Sequence, residues 1–172
     1  MDLLTLPTRA ADGSFHLVVE SPGGSPVKLK YDPKLRAFAI SRPLLLGLRY
    51  PFDWGFVPST RAADGDPLDA MALLDVPTFP GVVLQCHAIG VLRIEQDSHD
   101  GRGWVRNDRL LALPTIAPRF EGLKDVQQLP DRVRKELEQF FLSAVALTGK
   151  QVTLRGWGSS QEAERLVDAS RG

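Results

Sequence analysis

The sequence predicts an α+β fold, a small β-barrel or strongly curved sheet with two helices packed outside it. Six to eight short apolar segments, rich in β-branched and aromatic residues, are separated by clusters of Gly, Pro, Asp and Asn. Helical periodicity appears only after Pro130. The segments lie too close together for βαβ crossovers, which need about a dozen connecting residues or more.

Taken in order, residues 1–13 form a polar lead-in that closes on Asp12-Gly13. Phe15 to Glu20 reads as a strand, followed by the turn Ser21-Pro22-Gly23-Gly24-Ser25. Val27 to Tyr31 alternates apolar and basic residues, and that period of two puts Lys28 and Lys30 on one face of a strand. Ala37 to Ser41 is a third strand, with Arg42 beside it. Residues 47–58 carry four aromatics, two prolines and two glycines. That composition predicts an irregular segment packed into the protein or lining a pocket. Strand Asp69–Leu74 comes next, then a turn at 77–81 and a long apolar strand, Val82 to Ile94, with a bulge or bend at Gly90. Glu95 to Gly103 reads as a protruding polar hairpin loop, flanked by Trp104-Val105 and Leu110 to Leu113. Residues 114–129 read as an irregular connection.

Pro130-Asp131 opens the first helix. Val133, Leu137, Phe140, Phe141, Ala144 and Leu147 recur at three and four to make one apolar face, and Gly149 ends it. Val152 to Trp157 is a last strand, and Ser159 or Ser160 caps a final helix over 161–170.

At 172 residues the chain reads as one domain, 1–172, with an ordinary 43% hydrophobic and 24% charged composition. Twenty-one basic and 21 acidic side chains cancel, leaving no overall footprint for nucleic acid or an anionic membrane. The single cysteine, Cys86, sits in an apolar run and reads as a buried small hydrophobe in a reducing compartment. No apolar run approaches a membrane span, so a soluble cytoplasmic protein is expected.

The chemistry is concentrated in Arg61 to Leu74, which packs Asp64, Asp66 and Asp69 into six residues punctuated by Gly65 and Pro67. Carboxylates so close repel one another unless a cation sits between them, and Mg²⁺ is the natural candidate. A solvated Asp-Gly turn is the competing reading. An EF-hand is excluded, because Asp69 falls where that loop needs glycine and an apolar run replaces the later ligands.

Asp64-Gly65-Asp66-Pro67-Leu68-Asp69, preceded by Tyr50-Pro51, Trp54-Gly55-Phe56, resembles the D-G-D-P-x-D signature of the soluble inorganic pyrophosphatases of the single-domain bacterial type. The likeness runs on through P-V-K-L-K-Y at 26–31, S-R at 41–42, L-L-A-L-P at 110–114 and G-W at 156–157. It implies a small OB-like five-stranded β-barrel with extra strands and two helices packed outside. It also implies Mg²⁺-dependent hydrolysis of pyrophosphate, or of another small phosphorylated substrate, in a homo-oligomer. By this resemblance Asp64 and Asp69 hold metal and Asp66 is the general base. Lys28 and Arg42 grip the leaving phosphate, and Arg109 takes the place of a phosphate-facing lysine. Tyr50 lies beside the site and Glu20 supports it from behind.

Other positions depart from the family pattern. A third metal-binding aspartate falls at Asn107, with Asp108 adjacent. A further one falls at Gln96 or, with a shift of one residue, at Asp97; Asp100 lies in the same loop. A glutamate becomes Lys30, a phosphate-binding tyrosine becomes Trp54, and a tyrosine-lysine pair becomes Ala144-Val145. These changes define the rival expectation: a catalytically impaired member that binds a phosphorylated ligand or serves as a non-catalytic subunit.

Overall fold

The computed structural model describes residues 2–98, 101 and 103–172. Nine strands and two α-helices follow in order: β1 (Phe15–Ser21), β2 (Val27–Asp32), β3 (Ala37–Pro43), β4 (Asp53–Val57), β5 (Leu68–Ala72), β6 (Val83–Asp97), β7 (Trp104–Arg106), β8 (Arg109–Pro114), α1 (Asp131–Val145), β9 (Val152–Ser159) and α2 (Ser160–Ala169). Strands β1, β4, β5, β8 and β6 pair in that sequence, and β1 pairs back with β6, so five strands close into a ring. β7 and β9 extend the sheet from β6, and β2–β3 form a separate antiparallel ribbon. The mixed, sheet-dominated architecture with two helices is the α+β fold expected, with one strand more than the upper count.

Alternation along the strands divides the core. On β5, Ala70 and Ala72 face a cluster with Leu17, Val19 and Leu110, closed by Ala163 and Val167 of α2. Met71, between them, and Leu73 beyond face a second cluster under α1, with Leu137, Phe140 and Phe141. β4 and most of β5 are therefore covered on both faces, whereas the first half of β6 alternates, with Val83, Gln85 and His87 turned to solvent. β5 and β8 run parallel without a helical crossover; the β6–β7 excursion makes the connection. Gly90 sits where the β6–β8 register slips between Ala88 and Gly90. The Ala88 N–H near that slip is satisfied by Glu164 of α2 at 2.8 Å.

Two expectations are corrected. The second half of the aromatic segment 47–58 is regular strand β4, buried at all five positions. Burial on both faces removes the alternation that would have marked it, and Gly55 is there for close packing. A Cβ on Gly55 would lie 1.8 Å from the Val18 carbonyl oxygen. The α1 face also stops short of Leu147. Ala146 leaves helical geometry (ψ 142°), and Leu147 adopts φ 62° and is 94% exposed.

Candidate active site

A cavity of about 360 Å³ opens between the β2–β3 ribbon and the ring. Its floor comes from the acidic loop. Gly65 adopts φ 91°, which folds the loop back so that Gly65 N–H donates to Ala62 O and Ala62 N–H to Asp66 O. Asp64 Oδ1 accepts the Asp66 N–H at 3.2 Å. Asp69 stands on β5, paired in register with Arg109 of the parallel neighbour β8. Asp64, Asp66 and Asp69 all line the cavity. The opposite wall is basic: Lys28 and Arg42 are register partners across β2–β3 and both face in.

The charges are unevenly paired. Lys30 Nζ lies 2.9 Å from Asp66 Oδ2. Burial is the largest single influence and works against the Lys30 charge, but the Asp66 hydrogen bond together with the charges of Asp66, Glu20 and Asp69 outweighs it and holds the Lys30 pKa above the ordinary value. Arg109 donates to both Asp69 and Asn107 and lies 5.5 Å over the Trp54 ring, a cation–π contact. Among the described residues Asp64 has no such ion-pair partner. Burial pushes its pKa up, and the charges of Asp69 and Asp66 add to the effect. Lys28 is the reverse case, its pKa lowered chiefly by loss of water and held up in part by Asp69. Five basic side chains (Lys28, Lys30, Arg42, Arg109, Lys150) and four carboxylates (Glu20, Asp64, Asp66, Asp69) line this one cavity.

Glu20 reaches the cavity through a strand irregularity. The β1–β4 register slips between Val19 and Ser21, so Glu20 is the extra residue of a bulge. Its Oε1 accepts the Tyr31 N–H at 2.7 Å. Burial pushes its pKa from 4.5 up to about 7, against that hydrogen bond. Between those values the unfolded chain has lost a proton that the native state retains, so stability falls as pH rises through the window. The loss is on the order of 3 kcal/mol. Glu20→Gln keeps the acceptor for Tyr31 and removes the ionisation. Urea unfolding in EDTA at pH 4.5 and pH 8 should therefore show the variant gaining on the wild type at the higher pH. An unchanged difference would mean Glu20 ionises normally.

Tyr50 and Trp54 line a smaller apolar hollow beside the main cavity rather than the cavity itself, with Ala144, Val145, Phe140 and Phe141. Lys28, Arg42 and Arg109 face both spaces. Burial raises the Tyr50 hydroxyl to about 12. The Trp54 indole nitrogen is buried with no hydrogen-bond partner among the described residues. Arg42 donates to the Ala144 carbonyl, so this helix end takes part through backbone whatever side chain stands there.

The ambiguous acidic positions resolve on geometry. Gln96, paired with Val105, lines the cavity. Asp97 turns to the other side and accepts the Gln151 N–H. Asp108 is buried, accepting from Ile94 N–H and Arg106, and does not line the cavity. Asp100 lies outside the described residues. Sequence reasoning missed the Lys30–Asp66 pair, although it had placed Lys28 and Lys30 on one face. It also missed Lys150, Ser41 and Tyr31 on the wall, for which no local signal exists. A larger, more open depression of about 610 Å³ near Trp104 carries one charged side chain among the described residues, Lys150.

Among the described residues no three His, Cys, Asp or Glu side chains converge to hold a metal unaided. Mg²⁺ does not require that, since one or two carboxylates with water and phosphate oxygens suffice. Asp64, destabilised as an anion and in no ion pair, is the donor such a cation fits, with Asp69 across the same cavity.

A family model described as inorganic pyrophosphatase matches residues 17–172. The inorganic pyrophosphatase of Nostoc sp. is 37% identical over 170 residues, 99% of this chain and 97% of the relative. That of Synechocystis sp. is 36% identical over 98% of this chain and 96% of its own length. The crystal structure of inorganic pyrophosphatase from Thermus thermophilus superposes with a TM-score of 0.90 at 34% identity, covering 99% of this chain and 97% of that one.

Proposed function

Since the chain belongs to the inorganic pyrophosphatase family, we propose that it hydrolyses inorganic pyrophosphate to two phosphates in the cavity between the acidic loop and the β2–β3 ribbon, with Mg²⁺ as cofactor. The observation that carries this reading is the facing of three aspartates and a basic wall across one cavity. Mg²⁺ held by Asp64 and Asp69 would neutralise phosphate oxygens and lower the pKa of the attacking water. Asp66 takes the proton from that water through a half-exposed carboxylate that Lys30 holds in place. As the bridging P–O bond breaks, negative charge grows on the departing phosphate, and Lys28 and Arg42 stand where it can be met. Arg109, held by Asp69 and Asn107, presents a planar fork to the other phosphate. Tyr50 and Trp54 support this wall from the adjoining hollow. Glu20 props the ribbon through Tyr31.

Residues 1–172 are proposed to act as one domain within a cytoplasmic homo-oligomer. Among the described residues no helix is long and apolar enough to cross a membrane. The function is tested by phosphate release from pyrophosphate with Mg²⁺, beside a nucleoside triphosphate and a phosphomonoester. Pyrophosphate should be the preferred substrate, with turnover lost in EDTA. Preference for an organic phosphate would move the substrate, and no turnover of any would remove the hydrolase reading.

A further inference from the structure

The pairing of charges within the cavity points beyond the hydrolytic assignment. Two of its three aspartates already have cations. Asp66 Oδ2 lies 2.9 Å from Lys30 Nζ, and Asp69 accepts from Arg109. A divalent cation seeking either oxygen meets a monovalent one in place. Lys28 stands on the same strand and the same face as Lys30, half-buried at the cavity wall. No hydrogen bond reaches its ammonium among the described residues; only more distant charges act on it. A cation that has lost water without gaining a partner is most readily completed by an anion. Over the whole chain charges cancel, yet in this cavity five cations face four carboxylates.

The Lys30–Asp66 pair does little for the fold. Its side chains are 53% and 55% exposed, and an ion pair so open to water contributes little to stability. Its effect falls on the site. With Lys30 in place an entering polyanion meets Lys28 and Arg42 without facing an uncompensated Asp66. Without Lys30, Asp66 returns a bare negative charge to the cavity.

We propose that Lys30 is a built-in counter-ion to Asp66, doing on that carboxylate what a divalent cation would do, and that the cavity therefore binds a diphosphate-type anion in the absence of metal. The inference rests on this cavity being the pyrophosphate site. It makes Lys30 a positioning residue acting through Asp66, and it places Lys30 in competition with metal.

Calorimetry on the full chain tests it, with methylenediphosphonate as the probe in EDTA and Mg²⁺ alone in a second titration. Wild-type protein should bind the diphosphonate without metal. Lys30→Gln should weaken that binding by about tenfold or more and strengthen Mg²⁺ binding, while Lys30→Arg, which keeps the charge, retains metal-free binding. Lys30 lies on the exposed rim of a ribbon, and circular dichroism of each variant should match the wild type. Diphosphonate binding only in the presence of Mg²⁺ would overturn the proposal, as would a Lys30→Gln variant unchanged in both titrations. Pyrophosphate turnover in parallel separates the two claims. Metal-free binding without turnover removes the hydrolase reading and retains Lys30 as counter-ion. Turnover without metal-free binding does the reverse.

Discussion

Asp66→Asn is expected to lower kcat for pyrophosphate by about 10²–10⁴-fold, the usual contribution of a positioned general base. Asparagine matches the carboxylate in shape but cannot accept the proton of the attacking water. The loss should fall on kcat more than on KM, because among the described residues no hydrogen bond joins Asp66 to Lys28 or Arg42, the proposed phosphate contacts; Asp66 pairs with Lys30 and Arg42 with the Ala144 carbonyl. Stability should barely change. The Asp66 side chain is 55% exposed, its ion pair with Lys30 is on the cavity rim, and its backbone carbonyl still accepts the Ala62 N–H. Steady-state kinetics with a thermal melt of the same preparation checks both halves. Activity within about tenfold of wild type would assign the proton to another group.

Gly55→Ala should be the most damaging single-methyl change in the chain. The added Cβ would lie 1.8 Å from the Val18 carbonyl oxygen and 2.7 Å from its carbon. Both are backbone atoms of β1, the strand that pairs with β4 on one side and β6 on the other. No rotamer relieves the clash, so β1 and β4 must part, at a cost of about 4 kcal/mol or more. Urea unfolding would show the loss as a lowered midpoint, or expression would yield no folded protein. Glu20 stands one residue past Val19, the register partner of Gly55, so a variant that survives by shifting β1 should also lose its placement at the cavity. A variant with wild-type stability would mean that the β1–β4 pairing is wrong as described.

Much of this fold was legible because its signals are local. β1, β2, β3 and β6 carry β-branched or alternating runs, β8 is a short continuous apolar run closed by Pro114, and α1 and α2 carry three-and-four periodicity with Ser159 as an N-cap. β4 was not, because burial on both faces erases alternation and its flanking glycines and prolines mimic a loop. Leu147 misled because it continues the apolar period past the point where Ala146 turns out of the helix. The spacing of the acidic loop left a solvated turn as an equal rival, and only the full D-G-D-P-L-D motif with its aromatic flank tipped the reading, by resemblance. What spacing cannot carry is the pairing across the cavity. Lys30 and Asp66 lie 36 residues apart, and Asp69 and Arg109 lie 40 apart; only the ribbon's fold over the ring and the parallel β5–β8 pairing bring them together. Gln96 and Asp97 were equally good from the sequence. Pairing with β7 decides between them, sending Gln96 inward and Asp97 to Gln151.

The measurement that bears most directly on the central claim is a crystal structure with Mn²⁺ and imidodiphosphate, read by anomalous scattering. The account predicts metal against Asp64 and Asp69, and the diphosphate between them and the Lys28–Arg42 wall. Metal and anion seated elsewhere, for instance in the open depression beside Trp104, would contradict it.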